Sequence, residues 1–156
     1  MTDRNAVHAT FRIERTYPAS PARVFRAFSV LDEKLKWFGG PSEWERVQPT
    51  FDFRESGRET CAGTPPGGEA HAFNALYWDI VQNERIIYAY EMHIGTRRIS
   101  VSLATVEFRQ EGKGTHLVFT EQGAFLDGYD DAGSREHGTN WLLDNLGATL
   151  GDQSKG

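Results

Sequence analysis

Between Glu43 and Gln122 the chain breaks into one short apolar run after another, each closed by turn residues, and this pattern constrains the fold most. The candidate strands are 43–54, 58–62, 69–80, 85–94, 98–110 and 114–122. Ser56-Gly57, Thr64-Pro65-Pro66-Gly67-Gly68, Gln82-Asn83, Gly95-Thr96 and Glu111-Gly112-Lys113-Gly114 separate them. Connections this short join antiparallel neighbours. His8 to Tyr17 adds an earlier strand, because Phe11, Ile13, Arg15 and Tyr17 share one parity and Thr10, Arg12, Glu14 and Thr16 the other. Ser20-Pro21 then opens a helix with Ser as cap and Pro at its first position. A second short helical piece, about Asp32 to Phe38, stops at Gly39-Gly40-Pro41. The only long helical pattern runs from Asp130 to Leu150. The order predicts an α+β domain with a curved antiparallel sheet of about six to seven strands. A sheet of that length must curl, which leaves a hollow between it and the long helix.

Composition narrows the functional classes. At 156 residues the chain is one domain, with an ordered core expected over about 8–150 and a polar tail at 151–156. Four Trp, five Tyr and ten Phe exclude a disordered chain and put much of the apolar volume into rings. A net charge of -5 argues against nucleic acid as partner. Cys61, the single cysteine, excludes an internal disulfide or a paired-cysteine metal site. Met1 to Ala9 is polar, without the apolar stretch of a secretory signal, and no apolar run reaches the ~18–20 residues of a membrane span. The expectation is a cytoplasmic domain. His8, His93, His116 and His137 lack metal-ligand spacing, no nucleotide- or dinucleotide-binding fingerprint is present, and no cofactor is expected.

Several segments carry a resemblance. Ser20-Pro21-Ala22-Arg23-Val24-Phe25, Trp37-Phe38-Gly39-Gly40-Pro41, Asp52 to Arg58 (with Ser56 in place of a usual glycine), Asn83-Glu84-Arg85-Ile86 and Gly114 to Phe125 occur in this order. Together they resemble motifs of the START-like (SRPBCC) superfamily, most closely the branch named for activators of the Hsp-90 ATPase. Gly138 falls on a glycine of the family's last helix, but Thr139 follows it, and the tryptophan comes two residues later at Trp141. The resemblance implies a helix-grip fold with a ligand cavity between sheet and C-terminal helix. The Hsp-90-activating members carry a further N-terminal domain that these 156 residues do not show, so a co-chaperone module ranks below a ligand binder.

Parity and helical angle then sort the candidates. Ile86, Tyr88, Tyr90 and Met92 form one inward set; Ser102, Ala104, Val106 and Phe108 another; Leu117, Phe119 and Glu121 a third. On 69–80 both parities are plausible, and the resemblance favours Phe73, Ala75, Tyr77 and Asp79, with His71. In the long helix Arg135, Thr139, Leu142, Leu143, Leu146 and Leu150 make the buried stripe. Trp141 falls on the opposite side and suggests a homodimer or partner contact. The expected cavity residues are Arg15, Trp37, Phe38, Phe53, His71, Phe73, Tyr77, Tyr90, Met92, Phe108, Glu121, Phe125, Thr139 and Leu143, with Trp44 among the aromatic walls.

Two polar pairs are candidate chemistry. Arg15 and Glu121 share inward parity on strands expected to be neighbours, so each supplies the partner that burial demands of the other. His71 with Asp79 could do acid–base work if both faced the hollow. The first expectation is a binder of a small hydrophobic or aromatic, lipid-like ligand. The alternatives are a cyclase- or hydrolase-type enzyme using those pairs, and a co-chaperone-like interaction module. The loop Gly123 to Gly133, carrying Phe125, Leu126 and Tyr129, is a candidate lid.

Overall fold

The computed structural model describes residues 4–154. Its elements run β1 (Ala6–Tyr17), α1 (Pro21–Ser29), α2 (Leu31–Lys34), β2 (Glu45–Arg46), β3 (Thr50–Phe51), β4 (Arg58–Thr64), β5 (His71–Val81), β6 (Arg85–Ile94), β7 (Arg97–Glu111), β8 (Gly114–Leu126) and α3 (Ala132–Ser154). All strands pair antiparallel in one curved eight-stranded sheet ordered β1-β8-β7-β6-β5-β4-β2, with β3 on β4. The two short helices and α3 make this the expected helix-grip arrangement. No described helix is long and apolar enough to cross a membrane.

Local chemistry explains most boundaries. Ser20 caps α1 by accepting from the Arg23 N–H at 3.2 Å, and Pro21 occupies the first turn. Asp131 caps α3, taking the Ser134 N–H at 2.8 Å. α3 continues to Ser154, past the expected end at Leu150, while residues 1–3 and 155–156 lie outside the described residues. The expected strand at 43–54 is instead two short pieces. Glu45 and Arg46 pair with Thr64 and Gly63, but Thr50 and Phe51 pair one residue out of that register. Pro49, which has no N–H to give the ladder, stands at the break. The strand expected at 114–122 runs on to Leu126, so Phe125 belongs to β8, buried, and not to a lid.

Strand parity sets the inner face. Phe73, Ala75 and Tyr77 of β5 are buried, as are Ile86, Tyr88 and Tyr90 of β6, and Leu117, Phe119 and Glu121 of β8. A bulge after Tyr77 leaves Trp78 unpaired and exposed on the convex side. α1 plugs one end of the curl. Phe25 and Phe28 meet Phe108 edge-on at 5.4 and 5.3 Å, and Phe28 meets Trp37 at 4.8 Å. Such ring pairs add about 0.5–1.5 kcal/mol each beyond the area they bury. α3 closes over the rest, tied to β1 where the Tyr17 hydroxyl donates to the Leu143 carbonyl at 2.8 Å.

Candidate functional site

The hollow between the sheet, the α2–β2 loop and α3 holds a cavity of about 350 Å³. Its wall is aromatic and apolar: Trp37, Phe38, Phe73, Tyr88, Met92 and Phe119 face Leu142 and Leu143 of α3. Phe38 and Phe73 meet edge-on at 5.0 Å, and Phe73 lies 4.9 Å from Tyr90. The space is concave and mostly apolar, with a few placed polar groups. Those polar groups fall into two clusters.

Glu121 anchors the first cluster. Its carboxylate is 1% exposed and accepts from the Tyr90 hydroxyl at 2.7 and 2.8 Å. Arg135 of α3 reaches down to Tyr90 at 3.0 Å and Glu121 at 3.4 Å with one nitrogen. Its other terminal nitrogen donates to Ser100 at 2.7 Å and Asp130 at 2.9 Å. Burial pushes the Glu121 carboxyl above the usual carboxylate range, against the pull of the Tyr90 hydrogen bond and the Arg135 charge.

Lys34 and Glu59 form the second cluster. They are 5% and 3% exposed, with Lys34 Nζ 2.6 Å from Glu59 Oε1. The Tyr77 hydroxyl donates to the same carboxylate oxygen. The Lys34 ammonium also sits 4.4 Å from the centre of the Phe38 ring. Cys61, two residues on from Glu59 on the same strand face, turns into the cavity. Burial raises its thiol pKa, and the Glu59 charge raises it further, so the thiol is held protonated.

Exposed lining residues mark the mouth. Arg46 stands on the β2 side, and Ser134, Gly138 and Trp141 on α3. The Trp44 ring packs against His71 at 4.8 Å between centroids and lies directly over Gly40, where a Cβ would come 2.6 Å from the indole. Gly40 thus lets the loop approach Trp44 closely enough to frame the opening.

Several expected placements are corrected. Arg15 does not reach Glu121. β1 and β8 are neighbours, but Phe11 stands opposite Glu121 and Arg15 opposite Leu117. Arg15 instead binds Asn140 at 2.7 Å and Asp144 at 3.1 Å on the β1-facing flank of α3, outside the cavity. His71 and Asp79 do not meet. They stand eight residues apart on β5, and Asp79 pairs with Arg85 at 2.6 Å on the surface. Phe53, Tyr77, Phe108 and Phe125 are packed away from the lining: Phe53 against Phe25 and Tyr77, Phe108 against α1, and Phe125 beneath the Arg135 guanidinium. Trp141 is 43% exposed, yet it lines the mouth and does not stand opposite the cavity. The lining of α3 runs from Leu143 round through Thr139 and Gly138 to Ser134 and Trp141, so the face turned to the cavity is wider than the buried stripe and takes in Trp141 at its edge.

Trp37, Phe38, His71, Phe73, Tyr90, Met92, Glu121, Thr139 and Leu143 do line the cavity. Lys34, Tyr88 and Arg135 were not expected there as site residues. Arg135 lay in the buried stripe of the helical pattern, and Tyr88 shared parity with Tyr90. Lys34 had no comparable signal, because a helix of four residues shows no periodicity.

The fold resembles that of solved proteins. A protein from Rhizobium leguminosarum described as putative and uncharacterized is 50% identical, covering 97% of this chain and 99% of its own, with a TM-score of 0.92. The Mll3558 protein of Rhizobium loti is 44% identical over 94% of this chain and 99% of its own, with a TM-score of 0.88. Protein CV1439 of Chromobacterium violaceum shares the fold at 23% identity and a TM-score of 0.74, covering 90% of this chain and 96% of its own. No curated protein matches the chain. The family model described as activator of Hsp90 ATPase homolog 1-like protein matches residues 18–151, and the chain belongs to that family.

Proposed function

We propose that the protein binds a small, largely apolar ligand in the cavity between the sheet and α3. The observation that carries this reading is an aromatic-walled space of about 350 Å³ in which both charged clusters are already internally paired. Such a space gains little from water and much from an apolar guest, at about 25 cal/mol per Å² of apolar surface removed from solvent. Paired charges also leave the guest free of any need to neutralise Lys34 or Glu121.

The test is thermal denaturation with apolar aromatic compounds such as 2-acetylnaphthalene. A ligand at a hundred times its Kd stabilises the native state by about 2.7 kcal/mol. For a chain of this size that corresponds to a Tm rise of about 5–10 °C. Gly138 supplies the control, because a Cβ there meets nothing within 4 Å and the residue lies on the mouth. Gly138→Trp should fold and occlude the opening, abolishing the shift, whereas Gly138→Ala should keep it. A shift that survives Gly138→Trp unchanged would place the ligand elsewhere.

A further inference from the structure

Tyr77, Tyr88 and Tyr90 stand in a row on the concave face of β5 and β6. Tyr88 lies between the other two, its ring centre 5.9 Å from each. The outer pair commit their hydroxyls to carboxylates, Tyr77 to Glu59 and Tyr90 to Glu121. Tyr88 does not. It is 9% exposed, it lines the cavity, and its hydroxyl makes no hydrogen bond to any described residue. An unpaired hydroxyl that faces the cavity is a donor open to a partner, which a phenylalanine filling the same space would not offer. A group from outside the chain is the natural partner.

The surroundings say what kind of group. Burial, the neighbouring Tyr90 and the Glu121 and Glu59 carboxylates all hold the Tyr88 phenol protonated, so it is available as a donor. A donor needs an acceptor atom on the ligand. The same two carboxylates make the position unfavourable for negative charge. The nearby cations do not reverse this, since Lys34 is paired with Glu59 at 2.6 Å and Arg135 with Glu121 and Asp130. Ring edges and faces from Phe38, Phe73 and Tyr90 line the approach and suit a flat guest.

We propose that the Tyr88 hydroxyl anchors a flat aromatic ligand through a neutral oxygen, of a ketone, ether or phenol, and that the site discriminates against a carboxylate in that place. This rests on the cavity-binding reading above and names the chemical class that the cavity selects.

Three probes of one shape separate the possibilities: 2-acetylnaphthalene carries a neutral carbonyl, 2-ethylnaphthalene lacks the oxygen, and 2-naphthoate carries a carboxylate. Each is titrated calorimetrically into the wild-type protein, Tyr88→Phe and Gly138→Trp. Wild type should bind the ketone about tenfold tighter than the ethyl compound and at least tenfold tighter than naphthoate. In Tyr88→Phe the ketone should fall to the affinity of the ethyl compound, whose own binding stays unchanged. That variant should melt close to the wild-type temperature, because the Tyr88 hydroxyl has no hydrogen bond within the described residues to lose. Equal binding of ketone and ethyl compound by wild type overturns the proposal, as does a preference that survives Tyr88→Phe or a naphthoate that matches the ketone. In those cases, binding of 2-ethylnaphthalene that Gly138→Trp abolishes would leave the cavity reading standing. Failure of all three probes to bind wild type would overturn both.

Discussion

Glu121 is the residue in which burial and pairing compete most openly. Its carboxyl is held above the usual range by burial, although Tyr90 and Arg135 both favour the charged form. A carboxyl raised on folding contributes stability that is fully present below its unfolded-state value and is lost as pH rises through the folded-state value. Glu121→Gln removes that titration. The stability of wild type relative to Glu121→Gln should therefore decline from about pH 4 upward, with a slope of at most about 1.4 kcal/mol per pH unit. Denaturant melts of both proteins between pH 4 and 8 check this, and parallel curves would contradict it. That Glu121 faces inward was legible from alternation on β8. Its partner was not, because parity fixes the face of a strand and says nothing of the register. A slip of four positions between β1 and β8 separates Arg15 from Glu121 and hands the carboxylate to Arg135 of α3. Ser56 is another legible position. It stands where the family motif has glycine, and its φ of 69° shows why glycine suits the site.

Among the elements, α2 is short but holds the strand edge to the cavity floor through one side chain. Lys34 spans from α2 to Glu59 of β4 and, through that carboxylate, to Tyr77 of β5. Removing one partner of a buried pair leaves the other charge uncompensated, at about 3–5 kcal/mol. Lys34→Met should lose that much stability in urea denaturation, and adding Glu59→Gln should restore most of it. A single variant within 1 kcal/mol of wild type would contradict the assignment. Element order and type were readable from alternation, turn residues and helix caps. The 45–51 segment was not, since Pro49 shifts its register against β4 in a way that only the pairing reveals. Trp141 was misplaced for a related reason. A helical wheel gives angles around α3, but not how wide an arc of it the cavity touches, and Ser134, Gly138 and Trp141 line the mouth beyond the buried stripe.

At the scale of the molecule, a curled sheet, a plug of phenylalanines from α1 and a lid of α3 enclose a space that the packing leaves unfilled. Its aromatic wall was expected from composition and parity and, on β5, from the family resemblance. Its polar ends were not, because Lys34 meets Glu59 only where α2 packs on β4, and Arg135 meets Glu121 only where α3 packs on β8. The central claim is that this space takes a guest, and amide chemical-shift mapping tests it most directly. On titration with 2-acetylnaphthalene, shifts should concentrate at Phe73, Tyr88, Tyr90, Phe119, Thr139 and Leu142, around the cavity. Shifts confined to the convex-face residues Trp78, Val101 and Leu103, or no shifts at saturating probe, would contradict it.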